Sequence, residues 1–345
     1  MIASSPQPVR HANDGVSRPA HLGARDHGGN LDDAITRFGG EVDNWIDLST
    51  GINRRPYPVP EIPPHSWRRL PTQSDVSRLT AAAARAYDTQ AAILPLAGAQ
   101  AAIQLVPRLA RTGQAAILAP TYNEHSASLE HHGWRVREVT SVDQIAGADL
   151  AVVVNPNNPD GRAHRPEALL DIARTVGLLV VDESFTDATP ELSLAARADM
   201  PGLVVLRSFG KFYGLAGLRL GFAIGAQETI SRLASDAGPW QVSGPAIAIG
   251  CAALADVAWR HQTAARLADD VRRLDSLAQR AGWSDACGTH LFRLYTTVDA
   301  AATQDQLARH HIWTRRFPWS PVRLRLGLPG CEEEWSRLAT ALASA

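Results

Sequence analysis

The sequence predicts an α/β protein: a mainly parallel sheet in a large domain, with a smaller α+β domain. Short apolar runs alternate with helical stretches through the middle of the chain, at 91–96, 115–119, 150–155, 177–184 and 202–208. Apolar runs without polar alternation are typical of parallel strands covered on both faces. After about residue 226 the pattern changes to long helices followed by strands, which indicates a second unit. The 345 residues suffice for two domains.

The beginning of the chain has few regular elements. Residues 1–25 are rich in Pro, Ser and Gly without a hydrophobic period, so we expect a flexible tail. A short helix ending at Gly39-Gly40 and a strand at 45–49 follow, and we assign residues 26–60 to an N-terminal segment that joins the small domain. Residues 54–67 are too proline-rich for a helix or central strand.

The remaining elements divide into two predicted domains. The large one covers 61–250 and includes helices at 74–87 and 99–110 around the first apolar run. The C-terminal small domain covers 251–345. A long helix at 245–282, expected in two pieces, leads into it, and strands at 290–297 and 322–328 flank another helix.

Composition narrows the function classes. With 34 Lys plus Arg, 35 Asp plus Glu and a net charge of -1, the chain has no general nucleic-acid surface or polybasic membrane anchor. No apolar run reaches bilayer length, and the N-terminus lacks the core of a signal peptide. Cys251, Cys287 and Cys331 are widely spaced, which favours reduced thiols over bridges or metal ligands. We therefore predict a cytoplasmic protein without a metal.

Lys211 is the only lysine in the chain, so every other fixed cationic side chain is an arginine. Arginine supplies charge and hydrogen bonds at least as well as lysine. It does not supply a primary amine that loses its proton and attacks a carbonyl carbon. The lone lysine therefore indicates covalent chemistry, most simply a Schiff base.

Four segments place polar residues after predicted strands, where ligands bind in open α/β sheets. They contain Gly98-Ala99-Gln100, Asn158, Asp182, and the pair Ser208 and Arg219 around the lone lysine. Taken one at a time, a turn glycine explains the first better than an anion site does, a plain turn also explains the second, and a solvated strand end explains the third equally well.

Together these segments, G-A-Q, N-P-x-N-P-x-G, D-E-x-F and S-x-x-K-x7-R, resemble the fold type I pyridoxal-phosphate enzymes. The closer match is the histidinol-phosphate aminotransferase-like branch of the aspartate-aminotransferase superfamily. The resemblance implies pyridoxal 5'-phosphate as cofactor, a homodimer, and a Schiff base at Lys211. It implies that the cofactor phosphate is bound by Ser208, Arg219 and the backbone after Gly98 (Ala99, Gln100). It also implies that Asp182 pairs with the ring nitrogen, that Asn158 hydrogen-bonds the ring hydroxyl, and that Tyr122 stacks on the ring.

Two positions depart from that pattern. Phe185 replaces a tyrosine that in many relatives hydrogen-bonds the ring hydroxyl, so we expect a raised Schiff-base pKa or a larger role for Asn158. Leu70-Pro71 replaces a Tyr-Pro that reaches the partner subunit's phosphate in relatives, so that contact is not expected here.

Three further segments bear on the reaction: H-G-G-N at 27–30, W-I-D-L-S-T-G-I-N at 45–53 and G-P-W-Q-V-S-G-P-A at 238–246. They resemble the threonine-phosphate decarboxylases of cobalamin biosynthesis, although a flexible loop also explains the first. The resemblance implies decarboxylation of L-threonine O-3-phosphate, a small phosphorylated amino acid, to (R)-1-amino-2-propanol O-phosphate and carbon dioxide. A histidinol-phosphate-type aminotransferase is the alternative. A cofactor-binding protein without turnover is a third class, disfavoured by the intact Lys211, Asp182 and Arg219.

Such a substrate has two anionic ends. Arg323 and Arg325 are two apart on a predicted strand and point to one face, and the resemblance favours Arg323 for the carboxylate. Arg315, Arg316 and His27 are candidates for the substrate phosphate, and Asn53 is a further predicted substrate contact.

Overall fold

The structure, a computed structural model, describes residues 27–343, so the tail predicted for 1–25 lies outside the described residues. The strands are β1 (Ile46–Asp47), β2 (Ala92–Leu96), β3 (Gln114–Leu118), β4 (Arg135–Val139), β5 (Leu150–Val154), β6 (Leu179–Asp182), β7 (Leu203–Ser208), β8 (Gly221–Gly225), β9 (Ser284–Gly288), β10 (Phe292–Thr296), β11 (Ile312–Trp313), β12 (Arg315–Phe317) and β13 (Ser320–Gly327). The α-helices are α1 (Leu31–Phe38), α2 (His65–Arg68), α3 (Gln73–Ala86), α4 (Ala99–Leu105), α5 (Glu124–His131), α6 (Pro166–Ala173), α7 (Phe209–Phe212), α8 (Gln227–Ala237), α9 (Gly244–Ala255), α10 (Val257–Arg280), α11 (Ala300–Arg309) and α12 (Glu332–Ala343). Between residues 27 and 343, none of these helices is long and apolar enough to cross a bilayer.

A seven-stranded sheet with the order β2-β8-β7-β6-β5-β3-β4 forms the large body. The pairs from β4 through β7 are parallel, and β8 runs antiparallel to both of its neighbours. In β5, Val152 packs into one apolar cluster and Val153 into the other, so hydrophobic layers cover both faces. The predicted α/β class with a mainly parallel sheet is therefore confirmed. The antiparallel strand β8 was not predicted.

The C-terminal part has its own four-stranded antiparallel sheet, with the order β12-β13-β10-β9. Beside it, β1 pairs in parallel with β11, placing Ile46 opposite Ile312. The N-terminal segment therefore contacts the C-terminal part of the chain. The domain boundaries themselves stay a prediction.

The long helix expected at 245–282 is divided at Asp256, as predicted. This residue ends α9, and its side chain accepts a hydrogen bond from the Trp259 backbone to begin α10. A second cap begins α3, where Thr72 and Asp75 form a reciprocal capping box. The caps define where these helices begin, whereas α4 ends at Leu105, before the predicted end at residue 110.

Candidate active site

Side chains from the ends of β5, β6 and β7 meet in one pocket. Asn158 follows β5, Asp182 ends β6 and Ser208 ends β7, while Lys211 lies on the short helix α7. The pocket opens into a second cavity of about 510 Å³, which shares Tyr122, Asn158 and Lys211 with it. The parallel topology explains this convergence, because the carboxyl ends of neighbouring strands lie at the same sheet edge.

One end of the pocket suits an anion. Gly98 precedes α4 with φ +83, and a Cβ there would lie 2.8 Å from Nη2 of Arg219. Arg219 has a left-handed backbone with φ 53, a conformation that is strained in non-glycine residues and clusters at ligand sites. Ser208, Ala99 and Gln100 line the same end. Hydroxyl groups, guanidinium groups and backbone N–H groups are the hydrogen-bond donors that bind phosphate in proteins.

The same pocket also carries a buried carboxylate. Oδ1 of Asp182 accepts hydrogen bonds from the backbone N–H and the hydroxyl of Ser184, and Oδ2 lies 2.9 Å from Nε2 of His125. Burial by itself would raise the pKa of Asp182. The hydrogen bonds and charge of His125, together with the Ser184 bonds, outweigh burial and lower it. Asp182 is thus an ionised carboxylate suited to a cationic ring nitrogen.

Lys211 is half-buried and lines the same pocket. Burial lowers the pKa of its amine to about 8; the charges of Arg325 and Arg219 act in the same direction, and Asp182 opposes them. The Phe185 ring centre lies 5.8 Å from Nζ, so the position occupied by tyrosine in relatives presents an apolar face here. An amine with a depressed pKa is an effective nucleophile near neutral pH.

These observations fit the pyridoxal phosphate that the sequence resemblance implies. A pocket that combines phosphate donors, an ionised carboxylate and a nucleophilic amine matches the charged and reactive groups of that molecule. Tyr122 lines both cavities, where its ring is available for stacking.

The substrate candidates divide into those that reach the second cavity and those that do not. His27, Arg315 and Arg325 line it. Arg325 is buried; its Nη2 donates to the Ser49 carbonyl oxygen at 2.7 Å, and its Nη1 donates to Oδ1 of Asn158.

Arg323 and Asn53 lie elsewhere. The guanidinium of Arg323 reaches the Asp285 carbonyl oxygen on β9, so Arg325 is better placed for the substrate than the predicted Arg323. Asn53 lines neither cavity. It donates to the Phe212 carbonyl oxygen at 2.9 Å, and its own N–H donates to the Lys211 carbonyl oxygen at 3.0 Å. It holds the Lys211 segment in place, and this position gives no support to its predicted role as a substrate contact.

Two buried residues of this site were missed at the sequence level. His125 is the partner of Asp182, and Glu124 accepts a hydrogen bond from Nε2 of Gln100 at 2.9 Å. Both belong to the segment around Tyr122, whose polar side chains beside an aromatic residue were the available signal. Among residues 27–343, no cluster of metal-ligating side chains is present.

Comparisons with known proteins agree with this geometry. Residues 65–342 match the family model "Aminotransferase class I and II". The chain is 45% identical over 324 residues to a threonine-phosphate decarboxylase of Pseudomonas aeruginosa, covering 92% of this chain and 97% of that protein. It is 32% identical over 295 residues to a histidinol-phosphate aminotransferase of Mycobacterium bovis, covering 80% and 79% respectively.

A solved structure shares the fold. It is a histidinol-phosphate aminotransferase from Sinorhizobium meliloti in complex with pyridoxal-5'-phosphate, with a TM-score of 0.76, 19% identity, and coverage of 96% of this chain and 98% of that one. The fold therefore extends over almost the whole chain.

Proposed function

The chain belongs to the class I and II aminotransferase family, and within it we propose a pyridoxal 5'-phosphate-dependent decarboxylase of L-threonine O-3-phosphate. The products are (R)-1-amino-2-propanol O-phosphate and carbon dioxide, as required in cobalamin biosynthesis. One observation carries the proposal. The pocket that contains Lys211 and Asp182 opens into a cavity with two arginines, Arg315 and Arg325, which suits a substrate with two anionic ends. The name of the Pseudomonas relative supports the choice of substrate.

The cofactor contacts follow from the pocket. Ser208, Arg219 and the backbone of Ala99 and Gln100 would hold the phosphate, and Asp182 would hold the ring nitrogen. When bound, pyridoxal phosphate supplies an electrophilic carbon for the substrate amine and a ring that withdraws electrons from the bond to the carboxylate.

The protein's own groups then divide the remaining work. Lys211, with a pKa of about 8, can take a proton from the substrate ammonium and return one to the substrate α carbon after carbon dioxide leaves. Arg325 is placed to bind the substrate carboxylate, and its contacts with Ser49 and Asn158 fix the guanidinium. Arg315 and His27 line the same cavity, and we assign them to the substrate phosphate.

A histidinol-phosphate-type aminotransferase is the second candidate, favoured by the 32% identity to the mycobacterial protein. The two activities differ in their need for a keto acid. Decarboxylation releases carbon dioxide from threonine phosphate alone, whereas transamination transfers the amine to an acceptor.

The deciding experiment incubates the cofactor-loaded protein with threonine phosphate, with and without 2-oxoglutarate, and in parallel with histidinol phosphate plus 2-oxoglutarate. We expect acceptor-independent carbon dioxide release and no glutamate. Glutamate formation without carbon dioxide would replace the proposal with the aminotransferase. The matched control is Lys211→Arg, which keeps the charge, removes the primary amine and should lose nearly all turnover.

We also propose a cytoplasmic homodimer. Trp67, Leu70 and Trp240 are each more than half exposed, and they flank the place where Gly244 of α9 lies against Ser66 of α2. Large apolar side chains grouped on a surface mark protein interfaces. Sedimentation velocity should give twice the mass of the chain, and Trp67→Lys should weaken the association.

A further inference from the structure

The segment that begins at His27 lines the second cavity with its first two residues. His27 and Gly28 line this cavity together with Arg315 and Arg325. A Cβ on Gly28 would lie 2.3 Å from the Ser49 carbonyl oxygen, and the Gly29 N–H donates to Oγ of Ser49 at 2.7 Å. The close approach therefore requires glycine, and it fixes the segment against the end of β1.

The side chain of His27 is held by a carboxylate of the large sheet domain's helix α5. Its Nε2 lies 3.0 Å from Oε1 of Glu124, which is 6% exposed. Oε2 of the same carboxylate accepts from Nε2 of Gln100 at 2.9 Å, and Oε1 of Gln100 accepts from the Tyr122 hydroxyl at 3.2 Å. The buried Glu124 carboxylate thus joins the N-terminal segment to Gln100. Through Gln100 it is also linked to Tyr122, whose ring lines the cofactor pocket.

This arrangement is more than packing. A buried carboxylate is costly unless hydrogen bonds compensate it, and here the compensation comes from two separate parts of the chain. An imidazole that donates through Nε2 to a carboxylate can donate a second hydrogen bond through Nδ1 only as the imidazolium, which is the form that binds phosphate well.

We propose that Glu124 is a positioning residue for the phosphorylated substrate: one oxygen orients His27 in the second cavity, and the other ties that orientation to Gln100 and Tyr122. The proposal rests on the proposed function, because it assigns His27 to the phosphate of the substrate.

The test uses Glu124→Gln in the cofactor-loaded protein. Gln has the same shape as Glu, but its amide group places an N–H2 against one of the two donors, Nε2 of His27 or Nε2 of Gln100. We expect KM for threonine phosphate to rise about tenfold while kcat changes less than threefold and the dissociation constant of the cofactor stays the same. Adding Glu124→Gln to His27→Ala should raise KM no further. The matched control is Glu130→Gln on the same helix, where the carboxylate is exposed and accepts from the Ser126 hydroxyl.

Two results would overturn the proposal. One is a Glu124→Gln effect that adds fully to that of His27→Ala. The other is a loss of cofactor affinity with no KM change, which would mean that Glu124 serves only Gln100 and Tyr122.

A readout independent of activity separates this proposal from the proposed function. Hydrogen exchange of residues 27–38 should be faster in Glu124→Gln than in wild type or Glu130→Gln. If wild type releases no carbon dioxide, the proposed function fails, and the exchange rates still decide whether Glu124 holds the segment. Equal rates in all three proteins would exclude the contact.

Discussion

Nε2 of His125 lies 2.9 Å from Oδ2 of Asp182, and both side chains are at least 97% buried. The carboxylate keeps its charge at the base of the cofactor pocket because this histidine and Ser184 offset the cost of burial. His125 is therefore a positioning residue for the group that would face the ring nitrogen.

Replacement of His125 by Phe keeps a ring of similar size and removes the hydrogen bond. The pKa of Asp182 should rise, so the acid limb of the pH profile of kcat should move to higher pH. We expect the dissociation constant of pyridoxal phosphate to rise about tenfold, which corresponds to roughly 1.4 kcal/mol. Fluorescence titration measures this constant, and His131→Phe, at an exposed position of α5, is the control. An unchanged pH profile would argue against the role.

A second prediction concerns the buried ion group behind the site. Arg207 donates to Glu183 and to Asp187, both at 2.8 Å, and all three side chains are buried. Burial raises the pKa of Glu183 despite the opposing effect of Arg207. Arg207→Met leaves two carboxylates without their cation, and the loss of unfolding free energy should be about 3–5 kcal/mol.

Urea unfolding of the apoprotein measures this loss. Adding Glu183→Gln and Asp187→Asn to Arg207→Met should recover part of the stability, since the unpaired charges are then gone. The control is Arg174→Met, whose exposed pair with Asp171 should contribute no more than about 1 kcal/mol. A small effect of Arg207→Met would show that water reaches the carboxylates.

The third prediction separates the two arginines of β13. Arg325→Gln should lower kcat/KM for threonine phosphate by about 100-fold or more, because a charge-assisted contact to the carboxylate is worth roughly 2–3 kcal/mol. Arg323→Gln, two residues along the same strand, should change it less than threefold, because its guanidinium reaches the Asp285 carbonyl oxygen instead. Steady-state kinetics decides, and the reverse order would restore the prediction made from the sequence.

This pair shows where sequence reasoning stops. Alternation on a strand places Arg323 and Arg325 on one face. Which of them reaches the cavity depends on how far along the strand the cavity lies, and that distance is set by pairing with β10, where Leu294 lies opposite Arg325. The residue pattern of a single strand does not contain information about its pairing with a neighbouring strand.

Other features follow the same division. The parallel sheet and the segments of Lys211, Asp182 and Ser208 were predictable, because buried strands and their polar ends are local patterns. The sequence did not predict three other features: the antiparallel direction of β8, the β1–β11 pairing and the Glu124 contacts. They join residues far apart in the chain, and Ile46 opposite Ile312 is an example.

The last prediction concerns the pH dependence of folding in the apoprotein. Lys211 is half-buried, and its loss of solvation, reinforced by the charges of Arg325 and Arg219 and opposed by Asp182, lowers its pKa from 10.5 to about 8. Between these two values the unfolded state binds the proton that the folded state has released, so the unfolding free energy from this group rises with pH. Below pH 8 both states are protonated, and the cost of burying the charge is constant.

Lys211→Met removes this dependence while keeping a side chain of similar length. At pH 7 the variant should be more stable than wild type by up to about 3 kcal/mol, the equivalent of the pKa shift, and the difference should shrink from about pH 8 toward pH 10.5. Urea unfolding of both apoproteins at pH 7, 8, 9 and 10 measures it, and the shared tyrosine titrations cancel in the difference. A difference that does not change with pH would mean that the Lys211 amine is solvated in the apoprotein. The nucleophile would then have to acquire its low pKa from the bound cofactor rather than from the fold.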